Sequence, residues 1–104
     1  MNLQLGFLEE LILIILLMKN QTNAVEVVKE YETQFDQTIT LPTIHVVLKR
    51  LEKKGLVRSF MGEPTAERGG RRKRLYKASH SGYEAAQYLH AKRNTMWQSI
   101  LKPE

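Results

Sequence analysis

The sequence predicts a small, mainly helical fold that carries one β-hairpin. Three observations point to it. Apolar residues recur at helical spacing through the first half of the chain. After residue 55 the pattern changes to short strand-forming runs around a Gly-containing loop. A segment with a serine cap and helical spacing then closes the sequence. A length of 104 residues suits one small domain rather than two, and a core this limited gains from self-association. Hydrophobic residues at 42% and charged residues at 26% exclude wholesale disorder. There is no cysteine, which excludes a disulfide framework and a thiolate metal site and suits a reducing cytoplasm.

The first helix is expected over Leu5–Met18. Its apolar residues cover almost every side, so it belongs in the middle of the fold or between two subunits. Leu11–Met18 is unbroken apolar sequence. A membrane span needs ~20 such residues, and Glu9 and Glu10 cut this run short. A secretion signal wants basic residues ahead of its apolar core, where this chain has acids. The sequon-like triplet Asn20-Gln21-Thr22 is therefore read as chance. Lys19–Asn23 is a polar break with turn-forming Asn20 and Asn23.

A second helix is expected over Ala24–Gln34, with Val25, Val28, Tyr31 and Phe35 as its apolar stripe. Asp36–Ile39 connects it to a third helix over Thr40–Lys54. Thr40 is placed to cap that helix and Pro42 to sit in its first turn, where amides lack intrahelical acceptors. Ile44, Val47, Leu48 and Leu51 form its inward stripe. Gly55 suits the left-handed position beyond the helix, with Leu56 folding back on the last turn. Leu56–Met61 and Arg71–Ala78 read as strands joined by the loop Gly62–Gly70. Ser79 or Ser81 caps a last helix reaching about Leu101, Ser81 and Glu84 having capping-box spacing. Three helices followed by a two-stranded wing make the winged form of helix-turn-helix, with the third helix in the recognition position. Residues 1–78 are expected to form that unit and 79–104 a C-terminal dimerisation helix.

Charge divides the chain. Residues 1–48 carry a net charge of −4, residues 49–77 a net +8 and the remainder +1. A basic block of that size implies a polyanionic partner, most simply a phosphate backbone. With its inward stripe set aside, the third helix offers Pro42, Thr43, His45, Val46, Lys49, Arg50 and Lys53 outward. Thr43 and His45 can hydrogen-bond a base or phosphate, and Pro42 and Val46 can touch a thymine methyl. Lys49, Arg50 and Lys53 lie further along and suit phosphates. In the wing, Arg71, Arg72, Lys73 and Arg74 follow Gly69 and Gly70. Strand alternation would turn Arg72 and Arg74 one way and Arg71 and Lys73 the other, a two-sided basic wing, which Arg58 and Arg68 could extend. The last helix carries Tyr83, Ala86, Leu89, Met96, Trp97, Ile100 and Leu101, interrupted by Lys92 and Arg93. With Leu8, Leu11 and Ile15 of the first helix, its apolar face is expected to meet a second copy, so that two recognition helices stand one DNA turn apart, ~34 Å.

Catalysis finds little support. His45, His80 and His90 are not at metal-ligand spacing, no Gly-rich phosphate loop ends in Gly-Lys-Ser/Thr, and the adjacent Glu9 and Glu10 face different directions on a helix. No metal, cofactor or membrane partner is expected. Two other readings of the basic surface stay open at this stage: a protein-interaction module meeting an acidic partner, and a non-specific nucleic-acid binder, RNA included.

Three segments resemble the PadR-type regulators: Leu5-Gly6-Phe7-Leu8-Glu9-Glu10-Leu11-Ile12-Leu13, then Thr43-Ile44-His45 with Leu48–Val57, then Gly70–Tyr76 followed by Ser79 and Gly82. The resemblance implies a dimeric winged helix that binds palindromic promoter DNA, usually as a repressor, with an effector relieving repression in many members. It places Thr43, His45 and Lys49 on the DNA-facing part of the recognition helix, Arg71, Arg72 and Arg74 on the wing, and the dimer on the helix after the wing. Pro42 and His45 depart from the Gly and Tyr often found there, so the operator sequence does not carry over. Trp97 is not where some relatives place the aromatic that lines a drug-binding pore, and no ligand site is transferred.

Overall fold

The computed structural model describes residues 4–64 and 72–103. Helices α1 (Phe7–Lys19), α2 (Ala24–Phe35) and α3 (Leu41–Lys53) are followed by a hairpin of β1 (Val57–Met61) and β2 (Arg74–Ala78), then by α4 (His80–Gln98). This is the expected order.

The unbroken apolar run of α1 is explained by its surroundings. The helix packs on α2, α3, α4 and β2, so one stripe is not enough. Ile12, Leu13, Ile15 and Leu16 are buried, and Val27, Ile44, Val47, Leu48, Leu51, Val57 and Tyr76 close around them. Each large aliphatic side chain removed from water there contributes ~1.5–3 kcal/mol. The four inward residues expected of α3 are all buried. In α2 the expectation needs correcting. Ala24 and Val27 are the buried residues, with Val28 and Tyr31 packed beside them, whereas Val25 is exposed. Phe35 is also exposed, and its ring is tilted 38° to that of Tyr31 with centroids 5.0 Å apart. Val25 and Val27 both have helix-compatible neighbours at three and four residues, so spacing could not choose between them.

The ends of the helices follow side-chain chemistry. Asn23 Oδ1 accepts the Glu26 amide at 3.0 Å and starts α2. Thr40 Oγ1 accepts the Thr43 amide at 3.3 Å and starts α3. At the other end of α3, Gly55 takes φ +76°, its amide donates to the Glu52 carbonyl at 2.9 Å, and the Leu56 amide donates to the Leu51 carbonyl at 3.0 Å. This is the Schellman pattern, and the positive φ is what asks for glycine. Ser79, not Ser81, caps α4 by accepting the Gly82 amide at 3.0 Å. Glu84 instead pairs with His80 Nε2 at 3.0 Å. The helix ends at Gln98, short of Leu101, where Ser99 and Ile100 donate to carbonyls three residues back and tighten the last turn.

β1 and β2 are antiparallel, with Val57 opposite Ala78, Ser59 opposite Tyr76 and Met61 opposite Arg74. Strand pairing starts at Arg74 rather than Arg71. The polar break before α2 does more than turn the chain. Thr22 and Tyr76 exchange backbone hydrogen bonds of 3.0 and 2.7 Å, which ties the start of α2 to the wing.

The chain also fastens α4 to the corner between α3 and β1. The Leu56 carbonyl accepts the Ser79 amide at 3.0 Å, and Ser79 Oγ donates to the Gly55 carbonyl at 2.7 Å. A Cβ on Gly82 would lie 2.1 Å from the Leu56 oxygen, so the helix approaches this closely only because residue 82 is glycine. Gly82→Ala is expected to destabilise the fold by ~3 kcal/mol or more, since the obstacle is backbone and cannot swing aside. Gly55→Ala meets open space and is expected to lose only the ~1–2 kcal/mol of a left-handed residue. Denaturant melts of both variants check the ranking.

Candidate nucleic-acid interface

Seven residues expected to face outward on α3 do so: Pro42, Thr43, His45, Val46, Lys49, Arg50 and Lys53 are exposed. Their position follows from burial of the opposite stripe. The wing stands beside the first turns of this helix. Leu41 and His45 of α3, Lys73 and Arg74 of the wing, and Val25 and Lys29 of α2 line one open cleft of about 600 Å³, with Tyr76 at its floor. The Thr22–Tyr76 pairing creates this arrangement by holding the start of α2 against β2.

The cleft brings together two groups that the sequence supplied separately, the head of the recognition helix and the wing cations. It also adds Asn23, Val25, Lys29 and Leu41, which sequence reasoning missed. The signal that could have found Val25 was its own periodicity: with Val27 inward, an apolar residue two positions earlier must face out. Thr43 Oγ1 lies 2.8 Å from Thr40 Oγ1 at the head of α3. Burial pushes the Tyr76 phenol above its usual range, with the Arg74 charge acting weakly against it, so the ring is neutral at physiological pH.

The wing is not divided as strand alternation suggested. Lys73 precedes the strand and lines the same cleft as Arg74. Arg72 is exposed, while Arg71 and Arg68 lie outside the described residues. Arg58 is opposite Lys77, on the other face of the hairpin from Arg74, and so does not extend the cleft. Arg74 has a second engagement. Its Nη1 donates to Ser59 Oγ at 3.0 Å, and Ser59 Oγ donates to the Glu52 carboxylate at the end of α3. Wing and recognition helix are thus joined through side chains as well as backbone.

The first turns of α4 lie against the body, and the helix meets it again at Arg93. Gly82, Ala85 and Ala86 are buried, and the outer part of the helix is exposed. Tyr83, Met96, Trp97 and Ile100 are exposed, Trp97 by 71%, while Leu8, Leu11 and Leu89 are half-buried. Ile15 and Ala86, expected at a subunit boundary, are instead buried within the chain itself, because α1 is already enclosed and α4 sets its small residues against the body. No helix among the described residues is long and apolar enough to cross a membrane.

A helix-turn-helix with a basic wing at its recognition helix is the architecture of a DNA-binding transcription regulator. The penicillinase repressor family model matches residues 5–102, and the chain belongs to that family, one of regulators that bind DNA and not of enzymes. Solved structures share the fold. A PadR family transcription regulator from Clostridium difficile aligns with a TM-score of 0.74 at 21% identity, over 90% of this chain and 94% of that one. A PadR-like transcriptional regulator from Bacillus cereus gives 0.72 at 20%, over 95% of both chains. A transcriptional regulator from Clostridium thermocellum gives 0.73 at 23%, over 91% and 87%. At such identities the likeness is one of fold, and it is the fold that the PadR-type resemblance of the sequence implies. No curated protein matches the sequence.

The hydroxyl link between α3 and the wing makes a direct prediction. Ser59→Ala is expected to cost about 1 kcal/mol, because Glu52 and Arg74 lose their shared partner. In a double-mutant cycle with Arg74→Ala the two losses are expected to be less than additive. Urea unfolding of the four proteins tests this.

Proposed function

We propose that the protein is a dimeric repressor that reads a palindromic promoter site. In this reading residues 1–78 form the DNA-binding unit and 79–104 the dimerisation helix. The observation that carries it is the shared cleft in which His45 of α3 meets Lys73 and Arg74 of the wing. A recognition helix contacts base edges with its N-terminal residues, so Thr43 and His45 are the readers, with Pro42 and Val46 offering apolar surface to thymine methyls. Lys49, Arg50 and Lys53 follow along the helix and take phosphates, as do Arg71, Arg72, Lys73 and Arg74. Two short polar readers leave much of the discrimination to DNA shape.

The second copy is called for by α4. Met96, Trp97, Ile100 and Leu101 present apolar surface beyond the edge of their own body, an arrangement that a two-fold partner helix would cover. Two reading heads related by a two-fold axis match a palindrome. The small-molecule effector that relieves repression in PadR-type regulators belongs to this reading through the family resemblance alone, and a cytoplasmic setting through the absence of cysteine.

A footprint on the promoter upstream of the protein's own gene tests the reading, and protection of two symmetric half-sites is the expected result. Arg72→Ala is expected to weaken binding to all duplexes alike and to reduce the slope of log affinity against log salt by ~0.9. His45→Ala is expected to change the ranking of sequences while leaving that slope nearly intact. Trp97→Glu is expected to yield monomers in sedimentation, with the fold retained and affinity for the full site lost. Protection of one half-site by a monomer would refute the dimeric reading.

A further inference from the structure

Two features of the sequence are not used by the reading surface: the acids Glu9 and Glu10 within an apolar helix, and the cations that break the apolar stripe of the last helix. The structure joins them. The Glu10 side chain is only 6% exposed, and its Oε1 lies 2.8 Å from Arg93 Nη2. That guanidinium stands within ion-pair distance of the buried oxygen, which has no hydrogen-bond partner among the described residues. The same guanidinium sits 5.3 Å from the centre of the Phe7 ring. Arg93 is therefore held at the head of α1 by both a charge and an aromatic face. Glu9 turns elsewhere and meets Lys54 at 2.6 Å.

The place of this pair on α4 gives it a consequence. The helix is fastened first at Ser79 and Gly82, against the Leu56 carbonyl. Ala85 and Ala86 extend that fixed stretch by one turn, and a second point further out sets the direction of the rest of the helix. Arg93 is that second point, eleven residues on from Gly82. At ~1.5 Å per residue it lies ~16 Å along the axis, and Trp97 ~22 Å along it. A swing of ~10° about Gly82 would shift Trp97 by ~4 Å, more than the ~3.4 Å between base pairs. If α4 carries the partner, its direction sets the separation of the two reading heads.

We infer that the Glu10–Arg93 ion pair fixes the angle of α4 on the DNA-binding body and thereby selects the spacing between half-sites that the protein accepts. Arg93 and Glu10 are positioning residues and touch no base. The swing is opposed because moving Arg93 away strands a buried carboxylate, a state far less favourable than either the pair or its apolar replacement. Lys92, its neighbour, faces Tyr88 of its own helix at 5.5 Å and contributes no second anchor.

The inference rests on the dimeric reading above and is tested separately from it. Selection from random duplexes supplies a half-site, and two inverted copies are then placed at graded separations. The intact protein is expected to prefer one separation by on the order of tenfold over those one or two base pairs away. Arg93→Met alone leaves Glu10 unanswered and is expected to destabilise the fold. The double variant Glu10→Leu with Arg93→Met replaces the pair by apolar groups of similar size, which keeps folding intact. It is expected to dimerise, to bind an isolated half-site as the intact protein does, and to accept neighbouring separations within about threefold of one another. Arg93→Lys, which keeps the charge, is expected to restore much of the preference. An unchanged separation profile in the folded double variant overturns the inference and leaves the dimer standing. A flat profile in the intact protein overturns both.

Discussion

The fold is organised around one backbone joint, where the carbonyls of Gly55 and Leu56 receive the head of α4. At this joint the chain leaves α3 through a left-handed glycine and opens the hairpin, then returns from it 24 residues later and starts α4 under a serine cap. Ser79 gives its amide to one carbonyl and its hydroxyl to the next, while its oxygen also accepts the first-turn amide of Gly82. Buried backbone groups must find partners, and here three elements find them in each other. The recognition helix, the wing and the outgoing helix are all referenced to the same few atoms. Gly82 is the condition for this, because a side chain of any size at that position would push α4 off the Leu56 oxygen.

From that joint the wing's position follows in two steps. The hairpin leaves beside the end of α3, and the Thr22–Tyr76 hydrogen bonds bring the opening of α2 to its other side. The wing is held between the two helices of the helix-turn-helix unit, and the Glu52–Ser59–Arg74 chain adds a side-chain tie to α3. A flexible basic loop would contribute charge alone. A wing held on both flanks contributes charge at a defined place, which register on a duplex requires. Arg74 has this tie to Ser59 in addition to lining the cleft beside Lys73.

Much of this was legible in the residues. Thr40, Pro42, Gly55 and Ser79 each act through chemistry local to a helix end, and local chemistry is what a sequence states directly. The inward face of α3 was legible because its apolar and polar residues separate cleanly. α2 was ambiguous: Val25, Val27 and Val28 are equally apolar, and only the surrounding helices choose which two go inside. The cleft was half legible. Its cations were evident as a run, but their meeting with Val25, Lys29 and Leu41 depends on the Thr22–Tyr76 pairing between residues far apart in the chain. Ile15 and Ala86 were misassigned to a subunit boundary because apolar character says that a residue is buried without saying by which copy.

The division of charge, read along the chain as an acidic half and a basic half, has a different meaning in three dimensions. Glu9 meets Lys54, Glu10 meets Arg93, Glu30 meets Lys19 at 2.7 Å and Glu26 meets Lys29 at 3.4 Å. The Lys19 ammonium and the Gln34 amide hold the Glu30 carboxyl below its usual range. The acids of the first two helices are thus largely answered inside the chain, two of them by cations from α3's end and from α4. Of these pairs, Glu26 and Lys29 both line the cleft. Lys49, Arg50, Lys53, Arg72 and Lys73 have no carboxylate within ion-pair distance among the described residues. These acids fasten helices, and those five cations of α3 and the wing keep their field. That arrangement serves long-range attraction of a phosphate backbone better than an equal number of charges mixed evenly over the surface, because neighbouring acids would cancel the potential before it reached the duplex.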